Sequence, residues 1–253
     1  MMPAAFFGHG SPMLALQDNA VTRAWREFGR SLATPRAVLC ISAHWYIGRT
    51  AVTAMDRPRT IHDFAGFPPA LYSIEYPAPG DPELAARVRE LLQPVAVQPD
   101  TGWGLDHGSW SVLRHVFPQA DIPVVQLSID ATQPARFHYE LGSRLAPLRA
   151  AGVLIVGSGG VVHDLASFSL AEEPRTPAWA ERAEQQLAEL LEAGEVESLV
   201  DYNGLGTDVQ RGIPTPDHYL PLLYVLGAAP GRASIITRGL EGGSVSLLSL
   251  RLE

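Results

Sequence analysis

Three histidines stand where apolar runs give way to turns. His9 follows "AAFFG", His44 follows "AVLCISA" and His163 follows "GVLIVGSGGVV". In an open α/β sheet, ligands gather just outside the carboxyl ends of the strands, so histidines distant in sequence can converge there. Neutral imidazole is a common ligand for zinc or iron, and a mononuclear site needs three or four donors from separate segments. Each histidine alone reads as a turn residue bonded to backbone; together they point to a metal.

The stretch "TPDHYLPLL" (215–223) offers a further donor. Pro221 has no N–H and suits the first turn of a helix, so "YLPLLYVLGAA" is predicted to begin near His218. The positive end of the helix dipole disfavours imidazolium and keeps the ring in the neutral form a metal requires. Pro216 and Pro221 also reduce the freedom lost in fixing it. The alternative is that Asp217 and His218 are simply cap residues.

His107 lies in "GWGLDHGSW", which reads as a turn. Trp103 and Trp110 beside it suit the wall of an aromatic site, with His107 as an acid or hydrogen-bond donor. A packed aromatic corner is the alternative. Trp45, Phe64 and Phe67 likewise suit a planar guest or a plain core. His115 and His138 read as ordinary helix residues, and His62 as a loop residue able to contact substrate.

Those side chains need a scaffold. Short β-branched runs recur at 4–7, 37–42, 50–54, 123–129 and 152–158, with late runs "ASIITR" and "SVSLLSLRL". Between them, residues 19–33, 81–93, 134–150 and 176–194 carry apolar residues three and four apart, the helical spacing. Thr176 and Pro177 suit an N-cap and first helical position, and Gly194 a C-cap. The alternation predicts an α/β fold of three layers, α/β/α, with a mostly parallel but mixed central sheet and "SVSLLSLRL" pairing antiparallel at an edge. Residues 1–253 read as a single domain. The stretch from Asp56 to Gly80, rich in Pro, Gly and aromatics, reads as a functional loop.

A hydrophobic share of 46% with 18% charged residues matches a folded globular chain and excludes a disordered one. The net charge of −8 excludes a nucleic-acid surface built on clustered Lys and Arg. Apolar stretches fall short of the roughly 18 residues of a membrane span, and the opening residues do not resemble an export signal. Cys40 is the one cysteine, which rules out an intrachain disulfide and a cysteine metal cluster; it reads as a buried strand residue in a protein of the reducing cytoplasm. Dinucleotide and phosphate loops, the G-x-S-x-G elbow and H-E-x-x-H do not occur.

"FFGHGSPM", "ISAHWY", "IHDFAGFPPALYSIEYPAPG", "GWGLDHGSW", "IPVVQLSID", "GSGGVVHDL" and "TPDHYLPLLYVLGAA", in that order along nearly the whole chain, resemble the class III extradiol ring-cleaving dioxygenases, and among them the 4,5-DOPA dioxygenase branch. The resemblance implies His9, His44 and His218 as metal ligands. It implies His163 as either a further ligand or the active-site base, and His107 as an acid or substrate contact. Related enzymes use two histidines and a glutamate; here His218, with Asp217 adjacent, stands where that carboxylate would be. The implied cofactor is one divalent ion, Fe(II) for ring cleavage or Zn(II) as bound. The implied partners are a small aromatic diol such as DOPA and O2. Asp164 and Asp217 are candidates to orient imidazoles. Two other readings are a zinc-dependent hydrolase and a Memo-type binding protein of the same fold.

Overall fold

The computed structural model describes residues 1–171 and 174–253. Its strands are β1 (Ala4–Gly8), β2 (Ala37–Ile47), β3 (Ala51–Thr53), β4 (Arg59–Thr60), β5 (Gln98–Asp100), β6 (Gly104–Leu105), β7 (Val124–Asp130), β8 (Val153–Gly159), β9 (Ser234–Thr237), β10 (Leu240–Glu241), β11 (Val245–Ser246) and β12 (Ser249–Leu252). The helices are α1 (Ala20–Ser31), α2 (Pro69–Tyr72), α3 (Pro82–Leu91), α4 (His107–Val116), α5 (Ala135–Leu145), α6 (Pro147–Ala150), α7 (Ala178–Ala193), α8 (Val196–Val200), α9 (Thr207–Gly212) and α10 (Leu220–Ala228).

Eight strands form one sheet in the order β5-β3-β7-β2-β8-β1-β12-β9. Its centre, β7-β2-β8-β1, is parallel, and the antiparallel pairings lie toward the flanks. The central strands are buried on both faces, which is why they read as continuous apolar runs. Successive residues alternate between two cores. Ala4, Phe6, Leu39, Ile41 and Ile155 pack with α3, α5, α7 and α10. Ala5, Phe7, Val38, Cys40 and Val156 pack with α1 and α4 on the opposite face. Each fully buried Leu, Ile, Val or Phe contributes about 1.5–3 kcal/mol, so two such layers fix the sheet's register. Cys40 is fully buried, and burial pushes its thiol up to about 12. The chain's 19 basic residues are all arginine; it contains no lysine.

The helix expected over 134–150 is divided into α5 and α6 at Ala146. Pro147 has no N–H to continue the ladder and its ring crowds the preceding turn. Helix α7 begins one residue later than expected, with Pro177 at the N-cap and no capping bond from Thr176, while Gly194 closes it at φ 77°. Strand β12 is not the edge, because β9 pairs outside it. The stretch 56–80 is partly regular, holding β4 and α2.

Candidate metal centre and aromatic pocket

The carboxyl ends of β2, β8 and β1, neighbours in the sheet, carry the candidate residues. His9 directly follows β1, and its N–H donates to Gly159 O at the end of β8 (3.0 Å). Strand β2 continues past the predicted end at Ser42 to Ile47, with its register against β7 shifting between Ile41 and Tyr46. Such a bulge re-aims side chains, and His44 sits within it. His163 lies a few residues beyond β8. Pro221 opens α10 as predicted, leaving His218 just ahead of the helix. Here Gly159 is required: a Cβ on it would stand 2.1 Å from His218 O.

His9, His44 and His218 each offer a ring nitrogen, and these atoms all lie within 4.8 Å of one another. The ring nitrogens facing the protein fix the tautomers. Ser158 Oγ donates its proton to Gly108 O (2.6 Å), so it must accept from His9 Nδ1 (2.9 Å). Asp217 Oδ2, 2.5 Å from His218 Nδ1, accepts from that ring. Burial works to raise the Asp217 carboxyl, but the His218 hydrogen bond outweighs it and holds the group down at about 2. Asp63 Oδ2 lies 3.4 Å from His44 Nδ1, a close contact outside hydrogen-bond geometry. These assignments leave Nε2 of His9 and of His218 unprotonated and directed at the shared space.

His9 Nε2 and His44 Nε2 face one another across 3.1 Å, so that without a metal His44 can donate to the lone pair of His9. With an ion bound, both nitrogens would turn lone pairs to it instead. The spacing is the one two imidazole nitrogens take around a single ion at about 2.0–2.1 Å from each. Burial, then the charges the neighbouring rings would carry, holds His9 and His44 well below the ordinary imidazole range, so both are neutral donors. The residues present fit a divalent metal.

His163 does not join this group. Its ring stacks on His218, 3.5 Å between centroids and 7° from parallel, where the resemblance implied either a further ligand or the active-site base. Burial, followed by His218, holds it down to about 3. His107 is not in a turn but is the first residue of α4, behind the N-cap Asp106. Its ring lies 3.8 Å from that of His44 and 5.7 Å from that of His9, centroid to centroid.

The five imidazoles His9, His44, His107, His163 and His218 open on one cavity of about 270 Å³. Its apolar wall is Phe64, Phe67, Leu165, Phe168, Val245 and Pro12. The predicted tryptophan wall is absent from it: Trp110 is fully buried and donates to Ile61 O (2.8 Å), while Trp103 stacks on Trp45 behind the site. His62 turns away to Ile74 O (2.9 Å). Asp164 orients no imidazole; it accepts from Ala166 N (3.0 Å) and Ser167 Oγ (2.7 Å) in its own turn. His115 and His138 are helical and bonded elsewhere, to Leu14 O (2.9 Å) and Tyr224 Oη (3.0 Å). Sequence reasoning missed Asp63, Ser158, Leu165 and Phe168. Of these only Asp63 carried a signal, its place beside His62 and Phe64 in the aromatic loop.

Imidazoles at the rim of parallel strands, opening on a cavity walled by Phe64, Phe67 and Phe168, are the parts of a metal-dependent oxygenase of aromatic compounds. The model of the family "Catalytic LigB subunit of aromatic ring-opening dioxygenase" matches residues 3–245, and the chain belongs to that family. It is 49% identical to a 4,5-DOPA dioxygenase extradiol of Escherichia coli (strain K12), over 99% of this chain and 94% of that protein. It is 38% identical to a 4,5-DOPA dioxygenase extradiol of Beta vulgaris, over 95% and 92% respectively. The crystal structure of an uncharacterized protein from Escherichia coli K12 superposes with a TM-score of 0.86 at 42% identity, covering 100% of both chains. The chain is thus a dioxygenase of the ring-opening class, acting on an aromatic substrate with O2 in a family that uses a metal ion. Among the described residues, no helix is long and apolar enough to cross a membrane.

Proposed function

We propose that residues 1–253 act as one catalytic domain that opens a catechol ring beside its diol, with Fe(II) held by His9, His44 and His218. The observation that carries this reading is the convergence of ring nitrogens of His9, His44 and His218, all within 4.8 Å of one another, at the mouth of an apolar cavity. Fe(II) supplies a redox partner for O2 and Lewis acidity toward the diol; Zn(II) would supply only the second. The names of the relatives make DOPA-like catechols the first substrates to try. The buried thiol of Cys40 fits a cytoplasmic enzyme.

The chain's own residues divide the remaining work. Phe64, Phe67 and Phe168 exclude water and hold the ring flat. His163, neutral and facing the cavity, accepts the proton of the second hydroxyl; the catecholate that forms beside it raises its affinity for that proton. His107, with Nδ1 turned to Asp63, presents Nε2 to the cavity; there it takes up a proton released by the diol, Asp63 balancing the imidazolium, and gives it to oxygen as the ring opens.

The test is anaerobic reconstitution with Fe(II), addition of catechols including DOPA, and measurement of O2 uptake and of the yellow ring-opened product. Uptake matched to product supports the reading. Absence of uptake with every catechol overturns it, and hydrolysis by the zinc-loaded protein would put a hydrolase in its place.

A further inference from the structure

We infer that Asp63 is a positioning residue whose single carboxylate sets the tautomers of two imidazoles at once, turning Nε2 of His44 to the metal and Nε2 of His107 to the substrate. This rests on the reading of His44 as a ligand.

The backbone brings Asp63 to this place. Strand β4 pairs with β6 in the register Arg59↔Gly104 and Thr60↔Leu105. Ile61 N then donates to Leu105 O (2.7 Å), and Trp110 Nε1 donates to Ile61 O (2.8 Å). The loop is thereby pinned to the start of α4, and Asp63 arrives beside His107. Its Oδ1 accepts from the His107 backbone N–H (2.8 Å). Its Oδ2 lies 3.0 Å from His107 Nδ1 and 3.4 Å from His44 Nδ1. The 3.0 Å approach falls outside hydrogen-bond geometry, and among the described residues that buried nitrogen has no hydrogen-bond partner, so Oδ2 is the acceptor at hand for it.

Oδ1 is committed to the His107 backbone N–H, which leaves Oδ2 as the oxygen facing both rings. An ionised carboxylate only accepts, so both facing nitrogens carry their protons. His9 and His218 have separate partners in Ser158 and Asp217, whereas His44 and His107 share this one. Oδ2 meets a candidate metal ligand and a candidate proton donor from one point, so the loop couples metal binding to proton delivery. The same three residues also lie close enough to hold an ion of their own. That would strip both ring protons from His44, whose Nε2 already faces His9, so orientation is the reading the geometry favours.

The test uses the full chain with 15N-labelled histidine, metal-free and loaded with diamagnetic Zn(II). Two-bond 1H–15N correlations report the tautomer of each ring. In the wild type, His44 and His107 should show Nδ1–H. In Asp63→Asn, whose amide can turn a donor toward the rings, both should shift toward Nε2–H. His9 and His218 should keep Nδ1–H, and His115 and His138 should not move. Zn(II) affinity, by chelator competition, should fall about 10–100-fold. Nε2–H tautomers in the wild type overturn the inference without need of any variant. So do unchanged tautomers with affinity within twofold in Asp63→Asn, or two zinc ions per wild-type chain falling to one in the variant. A wild type that takes up no zinc sinks the metal centre itself, while the metal-free spectra still decide the role of Asp63.

Discussion

His163 lies flat against His218, ring on ring, while Asp217 grips the edge of the same His218 ring. One imidazole is thus held in its plane by a stacked neighbour and about its axis by a carboxylate. The stack places His163 beside the metal group without making it a member, which separates their expected phenotypes. His163→Gln should keep the wild-type metal content and lose about 10²–10⁴-fold in kcat. Metal analysis and steady-state turnover on one preparation check this.

His44→Ala removes a lone pair from the group of three nitrogens. The variant should fold but bind no metal. A ligand that binds only the native state at 100 times its Kd adds about 2.7 kcal/mol, so a chelator should lower the melting temperature of the wild type and leave that of His44→Ala unchanged. Scanning calorimetry with and without chelator is sufficient.

Gly108 lies under His44: a Cβ there would stand 2.5 Å from Ser42 Oγ and 2.8 Å from His44 Cδ2. Gly108→Ala should therefore push the His44 ring from its place and weaken metal binding by about 10-fold or more, although a helix gains from alanine by up to about 1 kcal/mol. Chelator competition and the melting temperature, measured together, should move in opposite directions or show affinity alone reduced.

Phe168 packs over Gly242, where a Cβ would reach within 2.2 Å of its ring, and lines the cavity. Removing the ring costs apolar contact that is made equally by bound substrate and transition state. Phe168→Ala should raise KM for a catechol about 10-fold with kcat within about threefold. Initial rates across a substrate series report the split.

His138, fully buried on Tyr224, is held down at about 4 by burial. Between about 4 and the ordinary value near 6.5 the unfolded chain carries a proton there and the folded chain does not. Stability linked to this group is full above about 6.5 and is lost as pH falls through that window, at about 1.4 kcal/mol per pH unit. His138→Gln should flatten the slope by that amount in urea denaturation of the metal-free protein at pH 7, 6 and 5.

The parts legible in the sequence were those written in periodicity. Continuous apolar runs marked β1, β2, β7 and β8, and the histidines that follow them fell at their carboxyl ends. Pro221 announced the start of α10 and with it the place of His218. What stayed hidden depends on pairings too short to leave a period. The two-residue ladder of β4 and β6, with the bonds of Ile61 to Leu105 and Trp110, brings Asp63 to His107. The bulge in β2 carries His44 beyond the run that suggested the strand. The tryptophans misled because a large aromatic serves a core as well as a pocket: Trp110 fills the layer behind α4, and the smaller Phe64, Phe67 and Phe168 form the wall. Leu165 and Phe168 open and close a single 3-10 turn after β8, too short to leave a period in the sequence.

Catechols oxidise to quinones, and opening their rings yields aldehydes, both of which add to free thiols and to the amines of lysine. Here the sole thiol is sealed between sheet and helix, and every cationic side chain is a guanidinium. The catalyst thereby offers few handles to the electrophiles of its own reaction, a chemical armour achieved by leaving reactive groups out.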